Sequence, residues 1–574
     1  MKNYLSKMMR VFAGGYRWWL PADRQSLLLG PGGLRLDEWI STGQAHVVKK
    51  GHHRIVYRVE LPGLVFYLKH NLLPDLRSWF RQLVRPSKAR MEFNRALAVA
   101  ERGLPTITPL ALGEACSLLG AGESYLLSES LECTQSLHCF LQNLHIMPVA
   151  DSTQVRQHLA RELGSLLGRI HQAGILHRDL HSGNLLVRHD PDQGFALYLI
   201  DLNAVHVGAP LNWRQSLENL AMLNRWFFFR STRADRLRFW NAYVASRQTF
   251  VEDPGHGKDL VRAVEQCTLD STHELCGHFE RRCLKTNRYF RKIAGRHARG
   301  HVVADLDAAD WKRLLADPDE PFRREGAKLY KDSNSSTVTE IDVRLGGQVH
   351  RVIYKRFRVN RWTNPLAALV RPSAALRSWV AGQALMHRSL PTPRPLMLLH
   401  RRRFGLDWEG YLMTEKIDEA QDLNEFLVSL SRLDPAAARA HLRQRIDDIA
   451  RVMRELHRWQ FSNRDPKAAN WLIAAPMPSS LRPMEFAGVW IIDLVGISHK
   501  KTLTLKQRCK NLGRLNASFL NNRLITRADR LRFLRAYMQW ALASKEGWKT
   551  WWRGVDLATQ AKVARNIRLR RELS

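Results

Sequence analysis

No apolar run in this chain approaches the ~20 residues that span a bilayer. The best apolar stretches are broken by charge, as at Glu114 and Arg377, so a membrane-spanning helix is not expected. The N-terminal stretch MKNYLSKMMRVFAGGYRWWL lacks a continuous apolar core before a small-residue cleavage site, which argues against a secretory signal. Cysteine is sparse, seven in 574 residues. That odd, thin supply fits a reduced cytosolic compartment better than a disulfide framework. Acidic residues are outnumbered, 54 Asp and Glu against 89 Lys and Arg, for a net charge of +35. The excess calls for an anionic partner: nucleic acid, an acidic membrane surface or a phosphorylated substrate. Zinc-finger spacing, an RNP-type signature and other compact nucleic-acid motifs are absent, so no nucleic acid partner is expected.

What the chain does contain is a globular composition, 45% hydrophobic and 25% charged, at a length that suggests two to four domains. It also contains itself twice. LVRPSKARMEF at 83–93 recurs as LVRPSAALRSW at 369–379, and Leu104-Pro105-Thr106 as Leu390-Pro391-Thr392. YLLSE ending at Glu129 recurs as YLMTE ending at Glu415, and HRDLHSGNLLV at 177–187 as NRDPKAANWLI at 463–473. These pairs share one offset of 286 residues. LYLIDL and VWIIDL follow at an offset of 292, and RADRLRF recurs at 294. The organisation read from this is a basic, aromatic N-terminal extension over 1–41, a first domain over 42–300, a linker over 301–321 and a second domain over 322–574. Each copy opens with a strand pair, split at Pro62-Gly63 or Gly346-Gly347, followed by a helix at 87–102 or 373–388. Short strands among long helices fill the remainder, a two-lobed α+β plan.

In the first copy Asp179 and Asn184 stand five apart in a loop, Asp201 ends an apolar strand, and Lys69 ends an earlier strand. Phosphoryl transfer needs these parts: a lysine on the nucleotide phosphates, an Asn and an Asp on Mg²⁺, and a second Asp to orient the attacking hydroxyl and take its proton. Hard oxygen ligands suit Mg²⁺. The second copy repeats the set as Lys355, Asp465, Asn470 and Asp493. Glu92, on the helix after Lys69, is placed to pair with that lysine; the same offset in the second copy brings Ser378.

These residues resemble the protein-kinase-like superfamily, and more closely the bacterial lipopolysaccharide core kinases, the heptose and Kdo kinase family. The resemblance implies two tandem protein-kinase-like bilobal domains. It implies ATP and Mg²⁺ as cofactors, with Glu129 and Glu415 opening the hinges that meet adenine. Lys467, two residues after Asp465, matches the protein-kinase loop lysine that contacts the γ-phosphate, where the first copy has His181. The implied reaction is phosphorylation of a sugar hydroxyl, on heptose or Kdo, in a lipid-linked core saccharide. The implied place is the cytoplasmic face of the inner membrane, with an anionic membrane surface as partner. Departures are the missing G-x-G-x-x-G loop, replaced by Lys49–Arg54 and Asp332–Ser336, and Asp-Leu-Asn and Asp-Leu-Val in place of Asp-Phe-Gly. No long activation segment is evident. A protein or other small-molecule kinase, or a scaffold with one or both copies inactive, are the alternatives.

Further features are weighed on the residues alone. His171 and His457 align and read as histidines bracing the catalytic loop. Cys267, His273, Cys276, His278 and Cys283 fit no common zinc spacing and read as helical periodicity with buried thiols. The basic stretch from Arg281 to Lys292 reads as a solvated face or as a contact for acidic headgroups or substrate phosphates. Met8, Met9, Phe12, Tyr16, Trp18 and Trp19 either dock at a membrane interface or pack on the first lobe.

Overall fold

The computed structural model describes residues 8–73, 85–116, 122–144, 149–190, 194–228, 230–248, 257–359, 372–403, 406–474, 488–538 and 547–569. Residues 83, 84 and 369–371 of the first repeated segment lie outside them. The chain divides into two compact units, Met1–Ser271 and Thr272–Ser574.

The first unit opens with a seven-stranded antiparallel sheet. Its strands are β1 (Met8–Ala13), β2 (Tyr16–Pro21), β3 (Ala45–Lys50), β4 (Arg54–Leu61), β5 (Leu64–Asn71), β6 (Pro109–Ala115) and β7 (Ser124–Glu129), in the order β1-β2-β6-β7-β5-β4-β3. Alternation dictates the faces: in β5, Leu64, Phe66 and Leu68 are buried while Val65, Tyr67 and Lys69 turn the other way. Helix α1 (Lys88–Glu101) lies against the sheet. Ser87 starts it by accepting the Arg90 N–H at 3.0 Å. The helical lobe follows, with α2 (Val149–Gln172), α3 (Trp213–Phe227), α4 (Arg233–Ala245) and α5 (Gly257–Arg282, which continues into the second unit). Between α2 and α3 run four short strands: β8 (Ile175–His177), β9 (Leu185–Asp190), β10 (Gly194–Leu199) and β11 (Val205–Val207).

The second unit repeats the plan. Its sheet is β12 (Phe290–Ala294), β13 (Ala298–Val303), β14 (Leu329–Asp332), β15 (Ser336–Leu345), β16 (Gln348–Phe357), β17 (Pro395–Arg403) and β18 (Leu406–Glu415), ordered β12-β13-β17-β18-β16-β15-β14. The β15–β16 turn uses Gly346 and Gly347 at φ +57° and +87°, the left-handed pair that a tight hairpin requires. Helix α6 (Ala308–Ala316) covers part of this sheet, and α7 (Ala374–His387) matches α1, capped by Ser373. Below lie α8 (Pro435–Arg458), β19 (Phe461–Asn463), β20 (Trp471–Ile473), β21 (Val489–Ile491), β22 (Ile497–His499), α9 (Leu505–Ala517), α10 (Arg527–Met538) and α11 (Gly547–Arg568). No helix among the described residues is long and apolar enough to cross a membrane.

The domain boundaries differ from the sequence reading in three places. Residues 8–21, set apart there as an extension, are the β1–β2 hairpin of the first sheet, with Trp18 and Leu20 in its core. Residues 290–303, assigned there to the first domain and the start of a linker, form the matching β12–β13 hairpin of the second sheet. Residues 304–321 supply Leu306, Leu314 and Leu315 to the second sheet's core, so this stretch is part of a lobe. The two hairpins share position without sharing sequence, which hid them from the repeat comparison.

Tyr16, Trp18 and Trp19 pack on the first lobe, whereas Phe12 is 72% exposed. Trp18 stacks with Tyr125 at 5.7 Å, and Trp19 lies under the guanidinium groups of Arg10, Arg17 and Arg90. In the cysteine cluster, Cys276 and Cys283 are buried, and His273 packs on the Trp459 ring.

Candidate active site

In the first unit Lys69 sits on β5 opposite Leu126 of β7. Its ammonium is ion-paired with Glu92 Oε1 of α1, and Glu92 is 1% exposed. The other Glu92 oxygen accepts from Asn203 Nδ2 at 2.6 Å, and Arg95 Nη1 donates to the Asn203 carbonyl. Asn203 is two residues past Asp201, which is held at φ +53°. For a non-glycine residue that conformation is costly and marks a constrained turn. Arg54, from β4, reaches Asp201 Oδ1 at 3.7 Å. Burial acts to raise the Asp201 pKa, but the Lys69 and Arg54 cations outweigh it and hold the carboxyl below the usual carboxylate range.

The loop that carries Asp179 and Asn184 adjoins the strand that leads to Asp201. Asn184 Nδ2 donates to the Asp179 carbonyl at 2.8 Å, and the Asn184 carbonyl accepts from Ile200 N at 3.0 Å. With its NH₂ engaged by the loop, Asn184 keeps its Oδ1 for a cation, and the charged Asp201 carboxylate adds hard oxygens. This donor set fits Mg²⁺. Asp179 is exposed, and its backbone N–H donates to His177 Nδ1 at 3.2 Å. The repeated Leu-Pro-Thr ties this strand to the other lobe. Thr106 Oγ1 donates to the Leu199 carbonyl at 2.7 Å, and the Pro105 carbonyl accepts from Leu199 N at 3.0 Å. Glu129 ends β7, where its N–H donates to the Thr108 carbonyl at 2.9 Å.

The second unit keeps the loop and changes the lysine's partner. Asn470 Nδ2 donates to the Asp465 carbonyl at 2.8 Å, and Asp493 repeats the left-handed turn at φ +55°. Asn463 replaces His177, and its Oδ1 accepts the Asp465 N–H at 2.9 Å, so the changed residue preserves the bond. Thr392 Oγ1 donates to the Ile491 carbonyl at 2.9 Å. Lys467 is half-buried before Asn470, and Glu415 ends β18 within 3.6 Å of Arg394. Lys355, however, donates to Asp493 Oδ1 at 2.9 Å. The bracket around Glu92 is gone: Ser378, Ala381 and Val495 stand for Glu92, Arg95 and Asn203. Ser378 is 1% exposed, and its Oγ has no hydrogen-bond partner among the described residues.

His171 and His457 brace the loops as expected. His171 Nδ1 meets Tyr243 OH at 3.0 Å and its Nε2 meets Asn219 Oδ1 at 3.1 Å. Asn219 Nδ2 then donates to the His177 carbonyl at 2.6 Å. His457 Nδ1 meets Tyr537 OH at 2.7 Å. Asn511, with its amide turned to suit, donates to the Asn463 carbonyl at 2.7 Å and accepts from His457 Nε2 at 3.1 Å. The RADRLRF repeat therefore marks the helices, α4 and α10, that carry the two tyrosines. Sequence reading did not assign these tyrosines, the two asparagines or Arg95. The shared offset of Asn219 and Asn511 was an available signal.

Burial pushes both imidazoles down to about 3, so they are neutral in the folded chain. An unfolded His titrates near 6.5. Below that pH the unfolded chain binds protons that the folded chain does not, so stability falls as pH drops from about 6.5 toward about 3. The expected loss is about 2 kcal/mol per histidine at pH 5. Urea unfolding at pH 7 and pH 5 measures it, and His457→Asn is expected to flatten the pH dependence of the second unit. An unchanged pH slope in that variant would refute the neutral-histidine account.

A strand lysine in a seven-stranded sheet, an Asp and Asn sharing one loop, and a strand-end Asp in a left-handed turn define a bilobal kinase-like fold, present here twice, with the lysine–glutamate pair belonging to the first unit. Residues 47–243 and 319–537 match the Lipopolysaccharide kinase (Kdo/WaaP) family. The chain belongs to that family. It is similar to the lipopolysaccharide core heptose(I) kinase WaaP of Pseudomonas aeruginosa, 29% identical over 165 residues, which cover 27% of this chain and 59% of the relative. It is also similar to the 3-deoxy-D-manno-octulosonic acid kinase of Mannheimia succiniciproducens, 28% identical over 148 residues, covering 26% and 56%. The chain thus spans a little over half the length of the curated relatives it matches. Among solved structures it is similar to WaaP in complex with acyl carrier protein, with TM-score 0.33 and 23% identity, over 44% of this chain and 99% of that one. It is also similar to the BubR1 kinase domain, with TM-score 0.25 and 13% identity, over 45% and 87%.

Proposed function

We propose that the protein transfers phosphate from Mg²⁺-ATP to a heptose or Kdo hydroxyl of the lipopolysaccharide inner core, at the cytoplasmic membrane face. What supports this is that Lys69 stands close enough to Asp201 to lower its pKa, while Asn184 bonds the Asp179 carbonyl and, through its own carbonyl, Ile200 beside Asp201, in a chain from this family. In this reading Asp179 accepts the proton of the attacking hydroxyl, and its exposure leaves it open to a bulky acceptor. Lys69, steadied by Glu92, holds nucleotide phosphate. Asn184 and Asp201 would hold Mg²⁺, which supplies charge neutralisation at the transferring group when bound. Glu129 opens the nucleotide hinge. In the second unit the same roles fall to Lys355, Asp465, Asn470, Asp493 and Glu415, with Lys467 near the γ-phosphate.

Specific observations favour a less active second copy: the missing glutamate at Ser378, and the lysine drawn onto Asp493. The test is a panel of acceptors, with heptose- and Kdo-containing core saccharide, a peptide and an aminoglycoside, each offered with Mg²⁺-ATP. Phosphate on the saccharide is the expected result. Transfer to peptide or drug alone would replace the sugar-kinase reading. Mass spectrometry of core saccharide from cells lacking the protein then counts the missing phosphates.

A further inference from the structure

Between residues 281 and 304 the chain carries eight Lys and Arg and no Asp or Glu. One of them, Arg299, is neutralised by Asp407 through two hydrogen bonds of 2.9 and 2.8 Å. The other seven, Arg281, Arg282, Lys285, Arg288, Arg291, Lys292 and Arg296, are exposed and have no carboxylate partner among the described residues. The segment is two-sided. Cys283, Phe290, Ile293 and Ala298 enter the core of the second sheet, while the cations stand outside with Leu284 and Tyr289, 37% and 47% exposed.

This is a built turn rather than a loose basic tail. Asn287 Nδ2 donates to the carbonyls of Arg282 (2.8 Å) and Lys285 (2.9 Å), and Asn287 Oδ1 accepts from Tyr289 N at 2.9 Å. Thr286 Oγ1 accepts from Lys292 N at 3.1 Å, and His301 Nε2 meets the Leu284 carbonyl at 3.1 Å. Arg288 lies over the Tyr289 ring at 4.5 Å. Charges on an edge strand deter edge-to-edge pairing, a role that the exposed Arg291 and Lys292 of β12 already fill. In the matching hairpin of the first unit, by contrast, Arg17 is answered by Glu114.

We propose that this turn and edge strand of the second unit, residues 281–296, dock the protein on the anionic headgroups of a bilayer. Fixed cations meet the lipid phosphates, and Tyr289 and Leu284 sit at the headgroup level, where amphipathic rings are favoured. The inference rests on the membrane-face part of the proposed function and names the surface that serves it.

The test uses the full chain and floats it with vesicles of phosphatidylglycerol and phosphatidylethanolamine, or of phosphatidylcholine alone. Binding is expected only to the anionic vesicles, and it should fall as salt is raised. A variant with Lys285, Arg288, Arg291 and Lys292 all changed to Gln is expected to bind about 100-fold more weakly or worse, since each cation near an anionic leaflet is worth roughly fivefold. A charge-matched control changes the exposed Lys500, Lys501, Lys506 and Lys510 to Gln, and it is expected to lose less than about tenfold. Circular dichroism and melting should be unchanged in both, because the side chains are exposed. Equal losses in the two variants would overturn the assignment of the surface while leaving membrane attachment standing. No binding by the unaltered protein would overturn the membrane reading itself. Tighter binding to duplex RNA than to the vesicles, through the same four residues, would reassign the surface to nucleic acid.

Discussion

Changing Asp179 to Asn is expected to lower phosphate transfer by about 10³-fold, the middle of the range for removing a positioned general base. Asn keeps the shape and leaves the backbone bonds of the loop untouched, because Asn184 grips the Asp179 carbonyl and not its carboxylate. The loss should therefore fall on kcat, with nucleotide binding and melting little changed. Asp465→Asn in the second unit is expected to cost less than about twofold in total turnover, as follows from the proposal that the first unit carries most of it. The double variant should be inactive. Two single variants with equal, half-sized losses would show two equivalent sites, and an active double variant would remove the mechanism altogether.

The second large effect concerns the lysine's partner. Lys69 lies between Glu92 and Asp201: it is paired with the first and close enough to the second to depress its pKa. In the second unit, without a glutamate, the lysine has gone to the aspartate. Glu92→Ser is thus expected to let Lys69 settle on Asp201, where it competes with Mg²⁺ for the same oxygens. A loss of about 10²-fold in kcat/KM is expected, or about 2.7 kcal/mol of transition-state stabilisation. A raised Mg²⁺ requirement should accompany it. Asn203→Val, which removes the group that holds Glu92 Oε2, should move in the same direction by a smaller amount. The reverse graft, Ser378→Glu with Ala381→Arg and Val495→Asn, should lower the Mg²⁺ requirement of the second unit in an Asp179→Asn background. No change in Mg²⁺ dependence in any of these variants would show that the lysine's partner does not govern the site. The effect follows from burial: Glu92 is 1% exposed, and its loss leaves a half-buried ammonium to find a new anion.

The Asp–Asn loops, the duplication and the kinase-like plan were legible in the amino-acid sequence alone. Their residues sit within a few positions of each other, and local spacing sets the geometry of a loop whose asparagine bonds its own aspartate. Writing the pattern twice separated it from chance. The helices after Ser87 and Ser373 were legible for the same local reason, a cap followed by a helical run. What folding alone decided lies between residues far apart in the chain. The contact of Asn203 with Glu92 spans 111 positions, and that of Lys355 with Asp493 spans 138. Neither leaves a spacing to read. The edge hairpins joined their sheets through backbone bonds, which almost any side chain permits, so their equivalence left no trace in residue identity. Local chemistry is written in residue order, whereas the partner of a buried charge is chosen only when the lobes close around it.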